Sequence, residues 1–268
     1  PGATTAPTAL NLPPGPNGIA GPNLAWDPSL RLPAAGTRPV WFSPASGRAE
    51  QIAGLPADQS GYQFIRVAGG WAVQASTASP AGCGTCAGPS GPVWFLADGA
   101  RSVTRIGTAN LVAPAATVGV VWLTSYQRGV NTTTAAGTAQ EVSVKGALTR
   151  PVTLPAGYAI GQGTDRGLLL APVIQQPEAA ADRLWNPAAP RTSQVFDGVL
   201  AASPDEIAWI SQCTPQCTVK TLNLATGKRA NITLSPGNSA VSGAFSPDGS
   251  LLALQMSFGN TGDGGDLA

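Results

Sequence analysis

The chain contains no histidine. A Ser-His-Asp or Cys-His triad therefore cannot be built from it, nor can a metal site that depends on imidazole ligands. Charge is scarce as well: Asp, Glu, Lys and Arg make up 11% of the residues, against about a quarter in an ordinary soluble domain. The 15 Lys and Arg are scattered singly and leave a net charge of +1. There is no basic stripe to neutralise a row of phosphates, and nucleic acid is not an expected partner. No apolar run approaches the ~20 residues that a membrane-spanning helix needs. The first residue is Pro1 and not an initiator Met, so we expect any signal or anchor to lie outside this chain.

What the chain does have is turn chemistry: 33 Gly and 25 Pro in 268 residues. Both residues weaken helix interiors, so helix is disfavoured almost everywhere and an all-β fold is expected. A length of this order suits one large β domain. Residues 1–39 are rich in Pro, Ala, Thr and Gly, lack apolar periodicity over their first half, and read as a linker or arm. The domain is expected over residues 40–268.

Within that domain short hairpins recur. Five of them, at 40–54, 93–107, 142–154, 184–196 and 219–234, pair an alternating apolar run with a charged second strand. Five more, at 62–76, 117–126, 158–173, 199–211 and 240–257, are more continuously apolar. The two kinds alternate, with repeat starts at Val40, Val93, Val142, Leu184 and Val219. That drifting period is near the ~40–50 residues of a four-stranded propeller blade. The dry hairpin is expected inside, buried between neighbouring blades on both faces. The wet one, carrying Arg48, Arg101, Arg105, Lys145, Arg150, Arg191, Lys228 and Arg229, is expected outside. About five blade equivalents result, either closed by both termini or forming part of a six- to seven-bladed ring.

Residues 245–254 read FSPDGSLLAL. Pro247 presets φ for a turn, Asp248 can bond local amides, and Gly249 accepts positive φ before the chain re-enters a strand, with Ser246 opening the motif. A weaker copy keeps Ser203, Pro204 and Asp205 but has Glu206 in place of the glycine. This segment resembles the S-P-D-G repeat of TolB and WD40-like β-propellers of the exported bacterial type. The resemblance implies a propeller over about residues 40–257.

The four cysteines fall in two close pairs, Cys83 with Cys86 and Cys213 with Cys217, each between a dry and a wet hairpin. Local disulfides in an oxidising, extracytoplasmic compartment are the expectation, with a redox C-x-x-C site or a four-thiolate zinc site as rivals. Carboxylates are spread thinly. Glu50, Glu141 and Glu178 stand apart, and only Asp205 and Glu206 are adjacent, in an expected turn. The glycines from Gly161 do not make a dinucleotide fingerprint. Asn260, Asp263 and Asp266 are oxygen ligands without the spacing of a calcium loop. Trp41, Trp94 and Trp185 recur at one repeat position and Trp71, Trp122 and Trp209 in dry hairpins, as blade-to-blade packing requires. Sequons at Asn131 and Asn231 fall in exposed segments.

These readings give no catalytic, cofactor-binding or metal residues. The expected role is a non-catalytic module for protein interaction. A propeller hydrolase, lyase or small-ligand binder using Asp and Arg at a central channel, and a sensor ectodomain, are the alternatives.

Overall fold

The structure is a computed structural model. It describes the backbone of residues 24–32, 35–43, 48–56, 61–75, 86–173, 181–213, 216–246 and 251–258, and side chains from residue 51 onward within them, apart from 212 and 258. No helix occurs among the described residues.

A first sheet is formed by β1 (Leu24–Leu32), β2 (Ala35–Ser43) and β3 (Arg48–Gln51). It takes in part of the segment read as an arm; residues 1–23 lie outside the described residues. Blade I follows, with β4 (Tyr62–Val67), β5 (Gly70–Ala75), β6 (Gly91–Ala97) and β7 (Thr104–Ala109). Blade II has β8 (Leu111–Pro114), β9 (Val120–Ser125) and β10 (Thr138–Ser143), and its outer edge is shared by β11 (Gly146–Ala147) and β12 (Val152–Thr153). Blade III comprises β13 (Tyr158–Thr164), β14 (Gly167–Pro172), β15 (Asp182–Trp185) and β16 (Ser193–Phe196). Blade IV comprises β17 (Val199–Ala202), β18 (Glu206–Cys213), β19 (Cys217–Asn223) and β20 (Arg229–Thr233). A last hairpin joins β21 (Asn238–Phe245) to β22 (Leu252–Phe258). Within each sheet the strands pair antiparallel in chain order.

The cores show how the sheets stack. On β9, Val121 and Leu123 point into one cluster with Ala72, Val93 and Phe95 of blade I, whereas Val120 and Trp122 point into another with Ile160, Leu168 and Leu170 of blade III. On β14, Leu169 then joins Ile207, Trp209 and Leu222 of blade IV, and on the far side of blade IV Ala208 and Val219 meet Leu254 and Met256 of β22. Successive residues of a strand face opposite ways, so blades II, III and IV each bury both faces, one against each neighbour. First strands meet first strands: β4 packs on β8, β8 on β13, and β17 on β21. This is the radial order of a β-propeller built from four-stranded blades. A bulge recurs in the first strand, between Ile160 and Gln162, Val199 and Ala201, and Ala240 and Ser242.

Three details differ from the sequence reading. The hairpin expected at 117–126 begins earlier, because Leu111–Pro114 is its first strand; four residues ending in proline give too short an alternation to read. Dryness belongs to the second strand and not to the whole inner hairpin. β5 is buried along its length and β9 up to Thr124, but β4 and β17 are only partly so, because a first strand is a sheet edge paired on one side. Finally, β22 buries Leu254 and Met256 on one face while Ala253, Gln255 and Ser257 on the other are exposed. Among the described residues no strand of β1–β3 pairs with β21 or β22.

Candidate functional site

A cleft of about 310 Å³ opens between blades II and III, at the low end of the ~300–1,000 Å³ usual for small-ligand sites. Blade II contributes Trp122 from β9 and Glu141 from β10, which are directly opposite each other in the strand register. Blade III contributes the β13–β14 turn, Gly163 to Leu168, and Asn186 from the loop after β15. Gly163 is required where it stands. A Cβ there would lie 2.8 Å from the Trp122 indole nitrogen and 3.0 Å from the Ala115 Cα.

The turn is held by its own polar groups. Thr164 Oγ1 donates to the Gly167 carbonyl (2.9 Å) and accepts from the Arg166 amide (3.3 Å). It is anchored on its other side to blade IV: the Asp165 amide donates to the Pro204 carbonyl (2.8 Å), and Arg166 Nη2 donates to the Ala225 carbonyl (3.2 Å). The cleft therefore has a rim tied to blade IV by one main-chain and one side-chain bond, and Asp165, Arg166 and Asn186 are exposed on it.

Electrostatically the cleft is unbalanced. Neither the Glu141 nor the Asp165 carboxylate has a hydrogen-bond or ion-pair partner among the described residues. Burial pushes the Glu141 carboxyl above the usual carboxylate range. Trp122 is only 6% exposed, and its indole N–H has no acceptor among the described residues. The single hydroxyl lining the cleft, on Thr164, is already committed within its turn. No nucleophile is set beside a base here, and no group of three or more Cys, Asp or Glu among the described residues is placed to hold a metal.

The residues singled out from the sequence lie elsewhere. Ser203 Oγ donates to Asp205 Oδ1 (3.0 Å) and accepts from the Glu206 amide (3.1 Å), the Asp205 carbonyl accepts from the Leu224 amide, and Glu206 Oε1 accepts from Asn223 Nδ2 (3.3 Å). Ser203, Pro204 and Asp205 thus form a wired turn beside the Asp165 rim. Ser246 accepts from the Leu251 amide through its Oγ (2.9 Å); Pro247, Asp248 and Gly249 lie outside the described residues, as do Glu178, Asn260, Asp263 and Asp266. Cys213 and Cys217 form a disulfide across the β18–β19 connection. Cys86 is disulfide-bonded, at the corresponding β5–β6 connection, and Cys83 lies outside the described residues. Trp122, Trp185 and Trp209 are buried in inter-blade cores, and Trp71 and Trp94 in a core that blade I shares with Ile52 and Leu55. Sequence reasoning missed that Glu141 and Asp165, 24 positions apart, line one cleft, which happens only because adjacent blades stack.

No protein-family model matches the chain, and no curated protein matches it. Among solved structures it is similar to a mutant of prolyl oligopeptidase B from Galerina marginata bound to a 35mer hydrolysis and macrocyclization substrate, at TM-score 0.46 and 11% identity over 85% of this chain and 36% of that one. It is also similar to an ACO/RPE65 chimera, at TM-score 0.42 and 11% identity over 82% of this chain and 61% of that one. A prolyl endopeptidase structure gives TM-score 0.36 and 8% identity over 85% and 44%. The chain spans less than two thirds of each of these proteins. At such identities and scores the likenesses carry no argument about activity, and the propeller rests on the sheets and cores above.

Proposed function

We propose that this chain is an extracytoplasmic β-propeller of the TolB and WD40-like kind that acts by binding a protein partner, without catalysis, and that the cleft between blades II and III is its point of contact. The observation that carries the reading is the set of idle polar groups in that cleft: a partly buried carboxylate, an indole N–H and a rim carboxylate, none with a hydrogen-bond partner among the described residues. An occupant of opposite polarity can pair with all three at once. The Cys213–Cys217 disulfide supports an oxidising compartment.

Capture from an envelope extract on the immobilised chain tests this, with Glu141→Gln as the control. The expected result is one stoichiometric protein retained by the wild type and released by the variant. Retention indifferent to Glu141 contradicts the assigned contact. The specific rival is a carboxylate acid–base enzyme, favoured by a Glu141 carboxyl that burial raises and by a second carboxylate lining the same cleft. Turnover of chromogenic glycosides, esters or peptide anilides that disappears in Glu141→Gln would establish that rival instead.

A further inference from the structure

We infer that the cleft between blades II and III takes a cationic side chain, a lysine or arginine carried on an extended segment of the partner. This deepens the protein-binding reading and rests on it. Two carboxylates face one cleft, and the sole cation there, Arg166, already donates to the Ala225 carbonyl on the side of blade IV. The cleft thus holds an excess of acceptors that carry charge, and the group that satisfies them is a donor that carries the opposite charge. The second observation is independent of the acids. Trp122 is 6% exposed, lines the cleft with Gly163 packed close to its indole nitrogen, and has an N–H with no acceptor among the described residues. A lone ammonium leaves that donor idle. A lysine or arginine within a peptide brings main-chain carbonyls with it, so one segment supplies both the cation for Glu141 and Asp165 and the acceptor for Trp122. A carboxylate-bearing segment would meet like charges instead, which gives the cleft a sign preference.

The indole N–H of Trp122 is the reporter, assigned in the ¹⁵N–¹H spectrum by its loss in Trp122→Phe. The probes are acetyl-Ala-Lys-Ala-amide, acetyl-Ala-Glu-Ala-amide, spermidine and a neutral disaccharide, titrated against the full chain. The lysine peptide is expected to shift the indole saturably and the glutamate peptide to leave it in place. Asp165→Asn, whose carboxylate makes no contact that the fold needs, should weaken the lysine peptide by about tenfold. A glutamate or disaccharide response equal to the lysine response, or no response to any probe, overturns the inference. If the lysine peptide fails while envelope capture still depends on Glu141, the partner reading stands and the ligand class is wrong. If spermidine saturates the site and capture shows no dependence on Glu141, the cation preference stands and the protein partner is wrong.

Discussion

Glu141 holds its charge at an energetic disadvantage, and that makes a pH signature. A carboxyl whose pKa is raised in the folded state binds its proton more tightly there, so protonation favours folding. The contribution is present in acid and is lost as pH rises through the carboxylate range toward the raised value. Glu141→Gln should therefore melt at a higher temperature than the wild type at neutral pH, with the gap closing in acid. Equal gaps at both pH values would show that burial of the charge is not the cause. Asp182 has the same sign, its burial outweighing the Val199 amide that donates to it at 2.9 Å. Asp98 has the opposite one: the hydrogen bond and charge of Arg66 hold it below the usual range, so its contribution is present at neutral pH and is lost as pH falls through the lowered value. That pair is about half exposed and is worth at most ~1 kcal/mol. Asn110 matters more to the fold. It accepts from the Tyr126 amide (2.8 Å) and Ser90 Oγ (3.2 Å) and donates to the Gly88 carbonyl (2.9 Å), tying blade I to blade II. Asn110→Ala should cost about 1–3 kcal/mol in denaturant unfolding, because it strands the partly buried Tyr126 amide and Gly88 carbonyl.

At the scale of the element, the second strand of each blade is where stability concentrates. Leu170 on β14 is fully buried in the blade II–III core, and Leu170→Ala should cost about 2–5 kcal/mol. Ile232 on β20 is 41% exposed, and Ile232→Ala should change stability by no more than ~0.5 kcal/mol; chemical denaturation of the two variants measures the contrast. The Cys213–Cys217 disulfide closes a loop of only three intervening residues, between strands already paired in register from Glu206 with Asn223 to Cys213 with Cys217. The double serine variant should lose less than the ~2 kcal/mol at the low end for disulfides, with increased amide exchange confined to that turn. Elements of this kind were legible in the sequence. Alternation in 93–107 and 219–234 carried a period of two, and glycine or proline marked the turns. β8 was not legible, because four residues ending in Pro114 carry too little pattern, and neither was the one-sided burial of β22, because LLALQM reads as apolar whatever covers it.

For the whole molecule, the decisive property is that neighbouring residues of one strand serve different interfaces. The recurrence of paired hairpins, and hence the four-stranded blade, follows from local pattern, which a sequence carries. Which blade lies against which, and hence that Glu141 of β10 shares a cleft with Asp165 of the β13–β14 turn, follows from radial stacking and has no local signal. The same stacking lets a rim turn of blade III be tied to blade IV, by the Asp165 amide to the Pro204 carbonyl and by the Arg166 side chain to the Ala225 carbonyl. Methyl-labelled NMR tests this arrangement most directly, at Val120 and Val121, which are 4% and 0% exposed. If blades stack radially, the Val121 methyls give NOEs to Val93 of blade I and the Val120 methyls give NOEs to the leucines Leu168 and Leu170 of blade III. Cross-peaks from only one of the two valines to another sheet, with the other facing solvent, would mean a two-layer sandwich and would contradict the account.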